Sequence, residues 1–306
     1  MSAGKLAGAY SYQLTLHMFS SMLSAGNIAG IVTFVVIHNS ESLLIMSFAP
    51  IHSAIRECEI LGFRFGDRGT HTSRTMMLDE LRVTLTSVPP GGTRKQYVEA
   101  IVEDNCLGKP TSATRLLSAQ RLSELYALDP DVPIFRLMRN LWSLDERGQP
   151  LLALLVALAR DPLLAATAPA VLALRNGEEF ARGPMRQALR DAVGTRLSDD
   201  TIDKVARNAA SSWSQAGHLS GRTFKVRKLV QPTFATAALA LLLAYTCGSR
   251  GEALLDSDWL KAIDCQPSQA RELAIDAKRH GLIDLRMVGA VIDIDFDRMD
   301  PWKVRR

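Results

Sequence analysis

Little in this 306-residue sequence is arranged for catalysis or for holding a metal. No CxxC pair occurs among its four cysteines, Cys58, Cys106, Cys247 and Cys265. That excludes the usual zinc-ribbon and thioredoxin spacings. Thiols so dispersed are expected to be reduced and mostly buried, as in a cytoplasmic protein. There is also no H-x-H, no HExxH and no paired-carboxylate pattern, so neither metal nor cofactor is expected. GHLSG (217–221) places its serine one position late for a nucleophile elbow. Asp276 and Lys278 spell the end of a nuclease-like D-x-K, but two residues apart on a helix they point in different directions. His218, beside Gly217, is expected to be a cap or a surface residue. The chain therefore reads as non-enzymatic, with no small-molecule substrate.

Aromatic residues are equally scarce, at 6% of the chain, while leucine and alanine are abundant. This balance favours helix over sheet. The net charge of +4 permits an acidic partner such as nucleic acid without demanding one. Charge is missing altogether from residues 18–37 (MFSSMLSAGNIAGIVTFVVI), a run of the length a membrane helix needs. Its serines, glycines and Asn27 favour a buried helix and strand over a membrane anchor. An N-terminal extension foreign to the domain is the third reading. No clear signal-peptide cleavage site follows the run.

What is present is a succession of helices after SVPPGGTR (87–94), a linker by its paired prolines and glycines. Residues 94–104 and 111–128 form two helices, and PIFRLMRNLWSL opens a third on Pro133. PLLALLVALARD (150–161) and PLLAATAPAVLALRNG (162–177) read as central buried helices. MRQALRDAVG and then LSDDTIDKVARNAASSWSQAG, capped by Ser198 and stopped at Gly217, read as a helix-turn-helix-like unit. The C-terminal part places TFATAALALLLAYTCG, SDWLKAI (N-cap Ser257) and QPSQARELAIDAKRHG (N-cap Ser268) ahead of LIDLRMVGAVIDIDF, a period-two hairpin turning at Val288-Gly289. Three helices and a two-stranded ribbon are the order of a winged helix. The expectation is a mainly α protein: a helical bundle with a helix-turn-helix-like segment and a C-terminal winged helix with a small β-hairpin wing. Its divisions fall at 1–65 (an N-terminal extension), 66–177 (a helical domain), 178–230 (the helix-turn-helix-like segment and a basic loop) and 231–306 (the winged helix).

Two stretches could grip phosphate. GKPTSATRLLSAQRL (108–122) is no nucleotide loop, because Glu103 stands where the P-loop requires glycine and Pro110 separates Lys109 from Thr111. Its helix start still offers Lys109, Thr111 and Ser112 near exposed backbone N–H groups. Arg115, Ser118 and Arg121 share one face beyond it, suited to a sugar-phosphate backbone. An ordinary capped, solvated helix fits the same pattern. SGRTFKVRKL (220–229) carries Arg222, Lys225, Arg227 and Lys228 around Phe224 with no acid among them. It reads either as a DNA-facing basic loop or as a solvated linker. Residues 252–300, by contrast, hold eleven acidic against six basic side chains, a net of −5. Asp293, Asp295 and Asp297 occupy the polar face of the second wing strand. Such a wing repels phosphate and favours a protein partner. Gln266, Ser268, Gln269 and Arg271, at the start of the third helix, keep base contact open.

NCLGKPTSATRLLSAQRLSELYALDPDVPIFRLMRNLW (105–142) resembles the BrxA family of bacterial phage-exclusion (BREX) defence systems. The points of likeness are its Asn-x-Leu, its Lys with Thr and Ser ahead of an Arg-bearing helix, and its RL-x-x-L step. TIDKVARNAASSWSQAGHL (201–219) is similar to that family's Thr-x-x-Lys helix, and LLALLVALARDPLL occupies the place of its buried helices. The likeness spans about residues 94–230. Residues 1–65 and the acidic C-terminal module have no counterpart. The resemblance implies a non-catalytic, cytoplasmic DNA-binding accessory protein that works with other defence proteins on double-stranded DNA. It carries this role onto Lys109, Thr111, Ser112, Arg115 and Arg121, and adds Lys204 and Arg207.

Overall fold

A computed structural model describes residues 34–37, 43–46, 48–288 and 291–300. The chain divides into residues 1–31, outside the described residues, and one compact unit over 32–306. The segments 66–177, 178–230 and 231–306 are therefore not separate compact units. Residues 48–65 are not an extension either: Phe48, Cys58 and Phe63 are buried, and both phenylalanine rings meet Trp259 edge-on. Of the uncharged run 18–37, residues 18–33 lie outside the described residues. Residues 34–37 form a strand, β1 (Phe34–Ile37), antiparallel to β2 (Leu43–Met46).

The unit is mainly helical. Its helices are α1 (Ile55–Leu61), α2 (Leu78–Ser87), α3 (Arg94–Val102), α4 (Ser112–Tyr126), α5 (Pro133–Leu144), α6 (Gln149–Arg160), α7 (Pro162–Ala165), α8 (Ala168–Leu172), α9 (Arg182–Val193) and α10 (Asp199–Gln215). After the small hairpin β3 (Leu219–Ser220) and β4 (Val226–Arg227) come α11 (Phe234–Thr246), α12 (Asp258–Lys261), α13 (Pro267–Arg279) and the hairpin β5 (Asp284–Val288)–β6 (Val291–Asp295). Two helices form the middle. Every residue of α6 from Leu151 to Ala159 is buried, and α11 is buried from Ala235 through Leu241. A helix apolar on all sides must be packed on all sides. Accordingly α6 contacts α4, α5, α10 and α11, and α11 contacts α5, α6, α12 and α13. Each fully buried leucine here contributes roughly 1.5–3 kcal/mol. Among the described residues no single helix is long and apolar enough to cross a membrane.

Local chemistry sets most helix starts. Thr93, Thr111 and Thr233 each close a capping box with the residue three places on, satisfying two orphan donors reciprocally. Ser198 accepts from Thr201 N as expected. Three expectations need correction. Residues 162–177 are not one helix but α7 and α8, because Pro169 cannot donate to a continuing ladder and instead opens a new helix. The third C-terminal helix begins on Pro267 with Gln266 at the N-cap, so Ser268 lies inside it. Ser257 is at an N-cap position but makes no capping bond, and its hydroxyl is buried without a partner.

The irregular strap 64–77 crosses the bundle with its backbone held by side chains. Tyr126 donates to Met76 O (2.6 Å) and Asn208 to His71 O (2.8 Å). Met76 N donates to Ser212 Oγ and Leu78 N to Gln215 Oε1. A buried loop needs such partners, because unpaired backbone groups are costly away from water.

Candidate nucleic-acid interface

The sequence-selected cations separate into three environments. The first is the outer face of α10 with the hairpin that follows it. Lys204 and Arg207 lie one turn apart on α10 and are exposed, with no carboxylate in ion-pair reach among the described residues. The reason is α9. Its Arg186 takes Asp203 at 2.9 Å, and its Arg190 takes Asp199, so two of the three acids of α10 are engaged to one side. The third, Asp200, is exposed one turn before Lys204 but outside ion-pair reach of it. At the far end of α10, Ser214 accepts from Lys225 Nζ at 2.7 Å, and Lys225 also reaches Gly221 O. That bond seats the tip of the β3–β4 hairpin on the helix. Gly221 makes the tip possible: its φ is +112°, and a methyl group there would stand 2.0 Å from Phe224 O. The tip exposes Arg222 and Phe224, the latter 73% accessible, and Lys228 is exposed just beyond β4. Partial burial lowers the Lys225 ammonium below its usual value.

The second environment is α4, where the guanidinium face turns out to be largely engaged. Lys109 pairs with Glu80 at 3.0 Å. Arg115 donates to Lys109 O and Val102 O, closing the α3–α4 turn. Arg121 pairs with Glu124 at 2.7 Å, and Ser118 is buried with its hydroxyl on Thr114 O. Thr111 and Ser112 remain exposed at the capped helix start. The expected uninterrupted face is thus a set of structural bonds, because α4 packs on α3 and α6.

Arg227 stands alone in the third. It is 1% exposed, donates to Val171 O at 3.1 Å and to Lys228 O, and is paired with Asp264. Period two explains this: alternate residues of the basic loop face opposite sides, so Arg227 points inward beside a half-buried Val226 and an exposed Lys228. It is corrected from a DNA contact to a core ion pair.

His218 is also corrected. It is fully buried, edge-on to Trp213, with Nε2 donating to Ala262 O at 3.0 Å and Nδ1 without a partner. Burial, with Arg227 nearby, pulls the imidazole down to about 4 from 6.5. The unfolded chain therefore takes up a proton below pH 6.5 that the folded chain refuses until about pH 4. His218 stabilises in full above the upper value, and as pH falls through the window up to about 3 kcal/mol is lost. His218→Gln, which can keep the bond to Ala262, is expected to flatten the acid limb of urea midpoints measured across that window. An unchanged slope would refute the assignment.

No sequence signal marked the constellation His71, Asp161 and Ser212, whose members are 90 and 141 positions from the histidine. His71 Nδ1 donates to Asp161 Oδ2 at 2.8 Å, and Nε2 lies 2.8 Å from Ser212 Oγ. The spacing is that of a nucleophile triad, but all three residues are at most 1% exposed. Ser212 Oγ accepts from Met76 N and donates to Asn208 O, and none of the described cavities is lined by it. What this geometry does is anchor the strap. Also unmarked were Arg64, Arg94 and Arg160, which line a cleft beside α4, and a groove of about 980 Å³ between α1, α5, α11 and β6, rimmed by Glu57, Asp293 and Asp295. No protein-family model and no curated protein matches the chain, so its function has to be argued from these residues.

Proposed function

We propose that this chain is a non-catalytic, cytoplasmic DNA-binding accessory subunit of a bacterial anti-phage system of the BREX type, holding duplex DNA through its phosphates and docking a protein partner. The observation that carries the reading is the strip Lys204, Arg207, Lys225, Arg222 and Lys228, four of them exposed and without a carboxylate partner. Exposed cations released from ion pairs are what a phosphate backbone requires. The placement of Lys204 and Arg207 on the second helix of an α9–turn–α10 pair is in keeping with a helix-turn-helix. The order α11, α12, α13, β5–β6 is in keeping with a winged helix whose acidic strand β6 faces a partner. The acidic-rimmed apolar groove beside that strand supports the docking half of the reading.

A second reading, a transcriptional regulator, is favoured by one observation: Gln266 and Ser268 are exposed at the start of α13, where a recognition helix would meet bases. Against it, Arg271 is drawn to Met287 Sδ and toward Glu252.

The test is a salt-titrated gel shift on duplex DNA. Wild-type affinity should fall steeply between about 50 and 200 mM salt. K204Q/R207Q/R222Q should bind more weakly on every sequence and lower the logarithmic salt slope by about 2 to 3, one increment per lost phosphate contact. R115Q/R121Q should leave the slope alone and lower thermal stability instead. No wild-type binding at low salt, or an unaltered slope in the triple variant, would sink the proposal.

A further inference from the structure

Beside the C-terminal end of α4 lies an open cleft of about 500 Å³ whose charges do not balance internally. Arg64 donates to Glu124 O at 3.1 Å, and Arg160 donates to the same carbonyl at 3.3 Å, to Ser123 O and to Gly62 O. Two guanidinium groups thus converge on one acceptor, and neither has a carboxylate partner among the described residues. Burial, with the Arg64 charge next in order, lowers Arg160 to about 10. Arg94, on the opposite lip, has only Asp129 at 3.9 Å. The one carboxylate lining the cleft, Glu124, is already held by Arg121 at 2.7 Å, Thr70 at 2.8 Å and Gln120 at 3.0 Å. Counting Arg64, Arg94, Arg121 and Arg160 against Glu124 and Asp129 leaves +2. The remaining wall is apolar, with Val98, Val102 and Leu116, the last 54% exposed.

We propose that this cleft binds a phosphomonoester carried on a compact apolar body, its phosphate bridging Arg64, Arg160 and Arg94 and its body resting on Leu116, Val98 and Val102. Guanidinium forks match phosphate oxygens bidentately, and a dianion offsets the repulsion between two arginines that no side chain offsets. Capping the carbonyls at the end of α4 accounts for one arginine. The second lone pair of the same oxygen admits Arg64, but carbonyl capping leaves the paired positive charges unneutralised and does not account for a third arginine facing them. The cleft stands apart from the reading of α10 above, because none of its residues belongs to that strip.

The experiment titrates the full chain with phenyl phosphate, inorganic phosphate and phenol, following heat by calorimetry and the thermal midpoint. Phenyl phosphate is expected to bind most tightly, inorganic phosphate more weakly and phenol not at all. Arg64→Gln and Arg94→Gln, both at exposed positions, should each weaken phenyl phosphate about tenfold, the loss of one charge-assisted hydrogen bond. Leu116→Ala should bring phenyl phosphate down toward inorganic phosphate, and K204Q/R207Q should bind it as wild type does. No binding of phenyl phosphate at millimolar concentration overturns the proposal, as does unchanged affinity in Arg64→Gln. If short duplex DNA binding falls in Arg64→Gln while phenyl phosphate never binds, the arginines belong to the DNA surface and the small-ligand site is refuted. DNA binding that fails while phenyl phosphate binds leaves this site standing and removes the other.

Discussion

Asp161→Ala is expected to destabilise the fold by about 3–5 kcal/mol, the cost of breaking a buried charged network from one side. The carboxylate is 1% exposed and accepts four hydrogen bonds: from His71 Nδ1 and His71 N, at 2.8 and 3.1 Å, and from Leu163 N and Leu164 N, at 3.0 and 3.1 Å. It therefore caps α7 and holds the strap 64–77 at once. Burial on its own would raise this carboxyl, but the attraction of His71 and the N–H donors outweigh it and leave the group below its ordinary value. Its contribution is thus present above the unfolded carboxylate range and lost as pH falls through the lower, folded value. Domains of this kind have only about 5–15 kcal/mol in total, so the variant should express poorly or show a greatly lowered urea midpoint. Gly69→Ala tests the same site from outside, since its methyl group would stand 2.1 Å from Asp161 Oδ1. A double-mutant cycle of Asp161→Asn with His71→Gln should show coupling of about 1–3 kcal/mol. Additive single effects would mean that the two side chains act independently.

Arg227→Ala should cost a comparable amount, about 3–5 kcal/mol, for a different reason. Arg227 ties β4 to the end of α8 through Val171 O, and to the turn after α12 through Asp264, which in turn accepts from Val230 N at 2.8 Å. Removing the guanidinium leaves Asp264, 10% exposed in its side chain, as an unpaired carboxylate. The double variant R227M/D264L should be more stable than Arg227→Ala, because replacing both partners removes the stranded charge with the pair. Denaturant midpoints decide it. A double variant worse than the single would show that the arginine acts through packing. Folded Arg227→Ala protein should keep the wild-type salt slope on DNA, which separates Arg227 from its exposed neighbours.

Periodicity and capping chemistry reached much of this fold. The all-apolar runs of α6 and α11 had to be central, since no other position buries every side of a helix. Thr111 and Ser198 had to start helices, because their hydroxyls serve orphan N–H groups within three residues. The alternation from Leu282 onward had to be a hairpin for the same local reason. These are interactions over a few positions, and a sequence displays them directly.

The partners of charged and polar groups are another matter. Whether Lys109 was free for phosphate depended on Glu80, 29 positions away, and whether Arg227 was free depended on Asp264, 37 away. Lys204 and Arg207, by contrast, have no ion-pair partner among the described residues, in part because α9 draws off Asp199 and Asp203 and leaves only Asp200 on their helix. His71, Asp161 and Ser212 meet only because the strap, the α6–α7 turn and α10 converge. Apolar burial is set by composition and period, which belong to the chain itself. An ion pair is set by which two segments come to lie side by side, and that is decided only when the helices pack.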